Sequence, residues 1–327
     1  MGTIISLTVG LVLFLGGLRL MSSALETMWG SSFAVAVQRM TGNRLSAFLC
    51  GLLFTTVTQS SSLATVIVVG VVDAGLIGLG AAIAVIIGAN VGTTVTGQLL
   101  SFKIDDYSLV FALLGMLLLL VSRPGKQRNA GKALTGLGVL LVGLQTMAEA
   151  LIPFAETGWM EMLLRHAAAH PVAGIVSGAL VTAIVQSSSA VVGMTVALAR
   201  EGILSLAAGA AIIVGADVGT CVTSLLAGLG AGLTARRAAL AHLLFNVFSV
   251  MIVITVFPLF VWIASQTSDI LPRQLANAHT LYNLTGAVIM LLLLTPFQKL
   301  VERLTDSENP SKKRIFGVFG EFVARWF

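Results

Sequence analysis

The sequence predicts an all-α polytopic membrane protein built from two inverted-topology repeats, each with a re-entrant helical hairpin carrying the tetrapeptide QSSS. Three observations carry this prediction. Charged residues make up only 10% of the 327-residue chain and hydrophobic residues 57%, with a mean hydropathy of +0.98. Soluble domains carry about 25% charge. Long uncharged runs recur along the chain, most of them long enough to cross a hydrocarbon core of about 30 Å. The chain also repeats itself at a separation of 127 residues: 43–102 align with 170–229 without a gap, with 21 of 60 positions identical.

These features exclude a cytosolic enzyme, a disordered chain and a disulfide scaffold. An outer-membrane barrel would alternate polar and apolar residues instead. No HExxH, GxSxG or Walker-type loop is present, and three serines make no nucleophile without an oriented base. The reading is therefore not an enzyme. Cys50 and Cys221 lie inside apolar runs and are read as small packing residues.

Taken in order, residues 1–42 are an N-terminal transmembrane helix and a connector. No basic n-region or A-x-A site surrounds the run 3–20, so it reads as a retained helix. Residues 43–151 form repeat unit 1 with its following helices. As one straight helix, 45–72 would span about 42 Å, and its centre is polar. A hairpin with two short legs meeting at Gln59, Ser60, Ser61 and Ser62 fits better. Crossings then follow over 76–100, 107–122 and 133–150. An odd number of crossings inverts the second copy, residues 152–304. Its own QSSS is Gln186, Ser187, Ser188 and Ser189, and about seven crossings result in all.

The basic clusters agree with this count. Arg123, Lys126, Arg128 and Lys132, then Arg236 and Arg237, then Lys299 and Arg303 all fall on one side. The positive-inside rule makes that side cytoplasmic, and nucleic-acid binding is not needed to explain the clusters. Residues 305–327 read as a cytoplasmic amphipathic tail. Ile315, Val318, Phe319, Phe322, Val323 and Trp326 recur there at helical spacing beside Lys312, Lys313, Arg314 and Arg325.

Each QSSS lies where a helix leg begins, so its serines occupy N-cap to N3 positions. Their hydroxyls and the unpaired N–H groups face the turn, at the positive end of the helix dipole. Two such turns from opposite sides converge near the midplane in a donor-rich pocket suited to a small oxyanion. Gln59 and Gln186 offer both donor and acceptor, for the anion or for a bound cation. The alternative is that these residues only satisfy helix ends and pack helices; the paired occurrence favours function.

Downstream, GANVGT at 88–93 and GADVGT at 215–220 place Asn90 and Asp217 at equivalent positions. Their glycines predict local unwinding, with carbonyl oxygens exposed to a cation. Thr93, Thr94, Thr96, Thr220 and Thr223 add hydroxyls. Asp217 is the one charge in the run 202–235, and so a candidate cation ligand or proton-linked group. The candidate Na⁺ ligands are thus Gln59, Gln186, Asn90, Thr93, Asp217 and Thr220. His242 with Asn246, and His279 with Asn283, recur in the pattern A-H-x-L-[FY]-N, one helical turn apart. Bonding between helices is the first reading of these pairs, and lining a pathway the second. The anion site is expected to be built from hydroxyls, helix ends and cations, without arginines.

The twin QSSS motifs with GANVGTT and GADVGTC resemble the type II sodium-dependent phosphate cotransporters and their bacterial Na/Pi relatives, over residues 2–303. The resemblance implies Na⁺ as coupling ion, inorganic phosphate as substrate, and no organic cofactor. It places the phosphate and Na⁺ site at Gln59 to Ser62 and Gln186 to Ser189. Asn90, Thr93, Asp217 and Thr220 match the second motif. The expected location is a bacterial cytoplasmic (inner) membrane, with the lipid bilayer, and optionally a second copy in a homodimer, as partners. Another oxyanion such as sulfate or arsenate, phosphate export, and a non-transporting scaffold subunit remain open. Several bacterial relatives continue into a cytoplasmic PhoU-like domain; regulation by such a domain in cis is not expected here.

Overall fold

The structure is a computed structural model that describes residues 2–40, 42–102, 105–155 and 170–305. The described residues form thirteen α-helices and one 3₁₀ turn. The protein is a polytopic all-helical membrane protein. Six helices are long and apolar enough to cross a bilayer: those over Ile5–Arg39, Leu79–Ser101, Lys126–Ala150, Leu206–Leu229, Leu233–Thr255 and Leu271–Leu292. The seventh expected crossing is α5, Ser108–Val121, with 14 residues. At 1.5 Å per residue it spans about 21 Å, less than a full core.

The first helix, α1, runs unbroken over Gly2–Met40, 39 residues. The sequence suggests a spanning helix over 3–20 followed by a connector. The helix instead continues without a break to Met40, through the expected connector. It lies antiparallel against α6, Lys126–Ala155. A Cβ added at Gly17 would lie 2.6 Å from the Gly136 carbonyl, and one at Gly143 2.7 Å from that of Gly10. Glycines let these backbones approach as closely as helices in a bilayer do.

The first hairpin has legs α2, Arg44–Thr58, and α3, Ser61–Asp73, followed by α4, Leu79–Ser101. The second copy has legs α7, Pro171–Val185, and α8, Ser188–Arg200, followed by α9, Leu206–Leu229. Contacts between the copies fix their relative sense. α3 runs back along α4, because Asp73 leads into Leu79 through a short turn while Gln59 reaches Thr96. α3 is parallel to α9: Ser62 meets Thr223, and Asp73 Oδ1 accepts from the Gly232 N–H at 2.7 Å. Thus α4 and α9 are antiparallel, and the repeats are inverted.

α10, Leu233–Thr255, breaks at Val256 before α11, Phe257–Ser265. The run 238–268 is therefore two helices, because Pro258 cannot donate back into the preceding turn. α12, Leu271–Leu292, is followed by α13, Leu294–Leu304. Leu294, Phe297 and Val301 of α13 are buried, while Lys299 and Arg303 are exposed. The amphipathic segment that the structure describes is this one; the expected tail helix over 315–326 lies outside the described residues.

One end of the bundle gathers basic side chains. Arg44 donates to Thr295 Oγ1 at 2.6 Å, Arg237 to Thr305 Oγ1 at 2.9 Å, and Lys126 sits 5.4 Å from the Trp29 ring centroid. At the other end Arg200 donates to the Leu100 carbonyl and Arg273 to Ser101 Oγ. The outer surface is apolar, with Leu120, Ile184 and Leu292 more than three-quarters exposed, as a lipid-facing belt requires.

The glycines of GANVGT and GADVGT do not unwind their helices; α4 and α9 are continuous through them. A Cβ at Gly88 would fall 1.9 Å from the Phe48 carbonyl oxygen, and one at Gly215 1.9 Å from that of Ile175. These glycines bring α4 against α2 and α9 against α7. Gly88→Ala is therefore expected to destabilise the protein by about 1–3 kcal/mol. Gly70→Ala, where an added Cβ meets no described residue of another element within 4 Å, should be neutral or slightly stabilising. Thermal unfolding in detergent compares the two; equal midpoints would contradict the packing role.

Candidate functional site

The two QSSS turns meet. Gln59, Ser60, Ser61 and Ser62 share one cavity of about 350 Å³ with Gln186, Ser187, Ser188 and Ser189. Thr220 also lines it, as do Leu15, Leu18, Arg19 and Ser22 from α1 and Val185. Residues 127 apart in sequence thus face each other across a single space.

Each turn is built the same way. Gln59 and Gln186 end α2 and α7 in the left-handed region, with φ of 58° and 61°, and their N–H groups bond to Thr55 and Thr182 carbonyls at 2.7 Å. Among the described residues these are the only non-glycine residues with positive φ. Such a conformation costs about 1–2 kcal/mol for an L-residue, and glycine would relieve it. Glutamine persists at both sites, so the side chain is what the position needs. Gln59 Nε2 donates to the Thr56 carbonyl and Gln186 Nε2 to that of Ala183, at 2.6 and 2.7 Å. The carboxamide oxygens are thereby aimed away from their own helices.

Ser60 and Ser187 are N-caps, whose Oγ atoms accept from the N–H groups of Leu63 and Ala190. Their oxygens serve the helix, in line with N-cap chemistry. Ser61 and Ser188 are buried at the first helical positions and make no side-chain hydrogen bond with a described residue. The N–H groups at the start of α3 and α8 lack intrahelical acceptors, as in any helix first turn. Two positive helix ends therefore open on one cavity.

Thr96 and Thr223, which the sequence shows only as extra hydroxyls, mark an asymmetry. Thr96 Oγ1 donates to Gln59 Oε1 at 2.6 Å and lies 3.4 Å from Ser189 Oγ. Its repeat equivalent, Thr223, donates to the Thr220 carbonyl at 2.8 Å and lies 3.5 Å from Ser62 Oγ. Gln186 Oε1 has no hydrogen-bond partner among the described residues. The signal for these threonines was their 127-residue spacing, shared with the motifs themselves.

Asn90, Thr93 and Asp217 are buried but do not line the cavity. Thr93 Oγ1 bonds to the Ala89 carbonyl and Thr220 Oγ1 to that of Asp217. Asn90 on α4 accepts from His242 Nε2 at 3.0 Å and donates to Asn246 Oδ1 at 2.9 Å. Asp217 on α9 accepts from His279 Nε2 at 3.1 Å and from Asn283 Nδ2 at 2.7 Å. Each A-H-x-L-[FY]-N pair thus clasps the matching residue of one GA[ND]VGT helix, so the helix-bonding reading of these pairs stands.

Two comparisons with known proteins extend this picture. Residues 13–149 and 147–291 each match the family model described as Na⁺/Pi-cotransporter. Over 319 residues the chain is 30% identical to YqeW of Bacillus subtilis, spanning 93% of this chain and 99% of that one. It is 25% identical to YjbB of Escherichia coli, whose name proposes inorganic phosphate export, over 94% of this chain and 56% of that one. It is 32% identical to the sodium-dependent phosphate transport protein 2A of Oryctolagus cuniculus over 42% of this chain and 22% of that protein. No solved structure matches the chain. Two successive matches to one model, each containing one of the facing QSSS turns, show that the chain belongs to the Na⁺/Pi-cotransporter family.

Proposed function

We propose that the protein carries inorganic phosphate across a bacterial cytoplasmic membrane with Na⁺ as coupling ion, by alternating access around the cavity between the hairpin tips. The observation that supports this is the single cavity shared by both QSSS turns. Phosphate oxygens accept from the first-turn N–H groups of α3 and α8 and from the hydroxyls of Ser61, Ser62, Ser188 and Ser189. Na⁺ is held by oxygen donors at the rim, with Gln186 Oε1 and Thr220 the best placed, and Gln59 joining when Thr96 releases it. Thr93, Asn90 and Asp217 support this shell from the helices behind. The basic end of the bundle faces the cytoplasm.

Radiolabelled phosphate flux into proteoliposomes, with and without an imposed Na⁺ gradient, tests the proposal. Na⁺-driven uptake is expected. Flux of sulfate or arsenate in place of phosphate would change the substrate, and absence of flux under any cation would leave a scaffold role. Outward phosphate movement is a second reading, favoured by the name of the Escherichia coli relative; the same vesicles loaded with phosphate measure it.

Inverted repeats exchange conformations as the site changes side. In this state Gln59 is tied to Thr96 while Gln186 is not tied to Thr223; the opposite state reverses the pairing. Thr96→Val and Thr223→Val are then expected to shift the two-state balance in opposite directions. A hydrogen bond of about 1 kcal/mol corresponds to roughly fivefold in each case. The readout is labelling of Leu15→Cys, in the cavity wall, by a membrane-impermeant thiol reagent from each side. Shifts of the same sign would contradict the exchange.

A further inference from the structure

We propose that Arg19 is a substrate-binding residue, a guanidinium on α1 that joins the hairpin tips in holding the transported oxyanion. The inference rests on the proposed function and adds to the site a charge that the two QSSS tips do not contain. Among the described residues Arg19 is the one charged side chain lining the cavity. It sits near the middle of α1, with 17 helical residues before it and 21 after it. Those stretches are about 26 and 32 Å long, too far for a side chain to snorkel to either interface. Charged residues at such depth face a water-filled cavity or a partner. Arg19 makes no hydrogen bond or ion pair with any described residue, and its side chain is exposed into the cavity. Ser22, one turn further along α1, lines the same wall.

The charges balance. Each helix N-terminus carries the equivalent of about half a positive charge, so two ends and one guanidinium give roughly two. That matches a doubly charged tetrahedral oxyanion. A planar guanidinium also presents parallel N–H donors to two anion oxygens, a geometry an ammonium lacks. The sequence hides this role, because Arg19 is a lone charge within the run 3–20 and no neighbouring motif marks it.

The test uses the full chain in proteoliposomes. Arg19→Gln is expected to raise the phosphate KM about ten- to a hundredfold, the range for losing one charged hydrogen-bond donor, with Arg19→Lys affected less. In Arg19→Cys, a positively charged aminoethyl thiosulfonate reagent should lower the KM again, and a negatively charged sulfonatoethyl reagent should not. Cys50 and Cys221 are buried, so the unsubstituted protein is the control. Inorganic phosphate should also protect Arg19 from phenylglyoxal, read by mass spectrometry of the labelled peptide. A KM within twofold in Arg19→Gln, with equal effects of the two thiol reagents, overturns the role of Arg19 and leaves the transport proposal standing. If the unsubstituted protein moves no phosphate, the transport proposal falls and the protection experiment decides alone: protection supports Arg19 as an anion ligand, and equal labelling overturns it.

Discussion

Replacing Ser188 with tryptophan is expected to stop phosphate flux while the protein still folds. Ser188 is 3% exposed, opens α8, and shares the cavity with Ser61 of the other hairpin. An indole there fills the space between the tips and covers the first-turn N–H groups of both helices. Loss of aligned donors in a preorganised site reduces rate by about a hundredfold or more. The equivalent Ser61→Trp should do the same, because one space serves both turns. Ser60→Ala and Ser187→Ala should instead cost about 1 kcal/mol of stability each through loss of an N-cap. Flux measured with thermal stability separates these cases. Normal flux in a folded Ser188→Trp protein would show that the substrate passes elsewhere.

Asp217→Ala is expected to be the most destabilising substitution in the polar network. Asp217 is 3% exposed and accepts from both His279 and Asn283, each 1% exposed or less. Removing the carboxyl group takes away the shared acceptor of two buried hydrogen bonds, at about 1.5–3 kcal/mol for each donor left buried without a partner. His279 Nδ1 and Asn283 Oδ1 already have no partner among the described residues, so the cluster has no spare bonds to redistribute. Asn90→Ala, in the neutral counterpart, should cost about 1–3 kcal/mol. The comparison is an unfolding midpoint in detergent for each variant. An Asp217→Ala protein as stable as Asn90→Ala would contradict the clasp between α9 and α12.

Much of the fold was legible because it is written twice. QSSS at a 127-residue separation located both hairpins, their N-caps and the inversion, since serine is a strong cap and polar turns within apolar runs mark re-entrant legs. The left-handed glutamines were not legible, because nothing in the residue type announces a positive φ. The glycines of GANVGT and GADVGT were misread. Helix propensity predicts unwinding there, but tertiary packing against the α2 and α7 backbones decides. The partners of Asn90 and Asp217 lie 152 and 62 residues away, beyond any local pattern. Arg19 was missed for a related reason. Within the run 3–20 it is a lone charge, and nothing in the types of its neighbours shows that a cavity receives it.

The central claim is that one site is shared by two inverted hairpins. The variants Ser61→Cys and Ser188→Cys, labelled with a small thiol reagent at graded phosphate concentrations against the unsubstituted protein, whose Cys50 and Cys221 are buried, test it most directly. The shared site predicts protection of both positions with the same half-maximal phosphate concentration, and stronger protection when Na⁺ is present. Protection of only one position, or two different half-maximal concentrations, would contradict it.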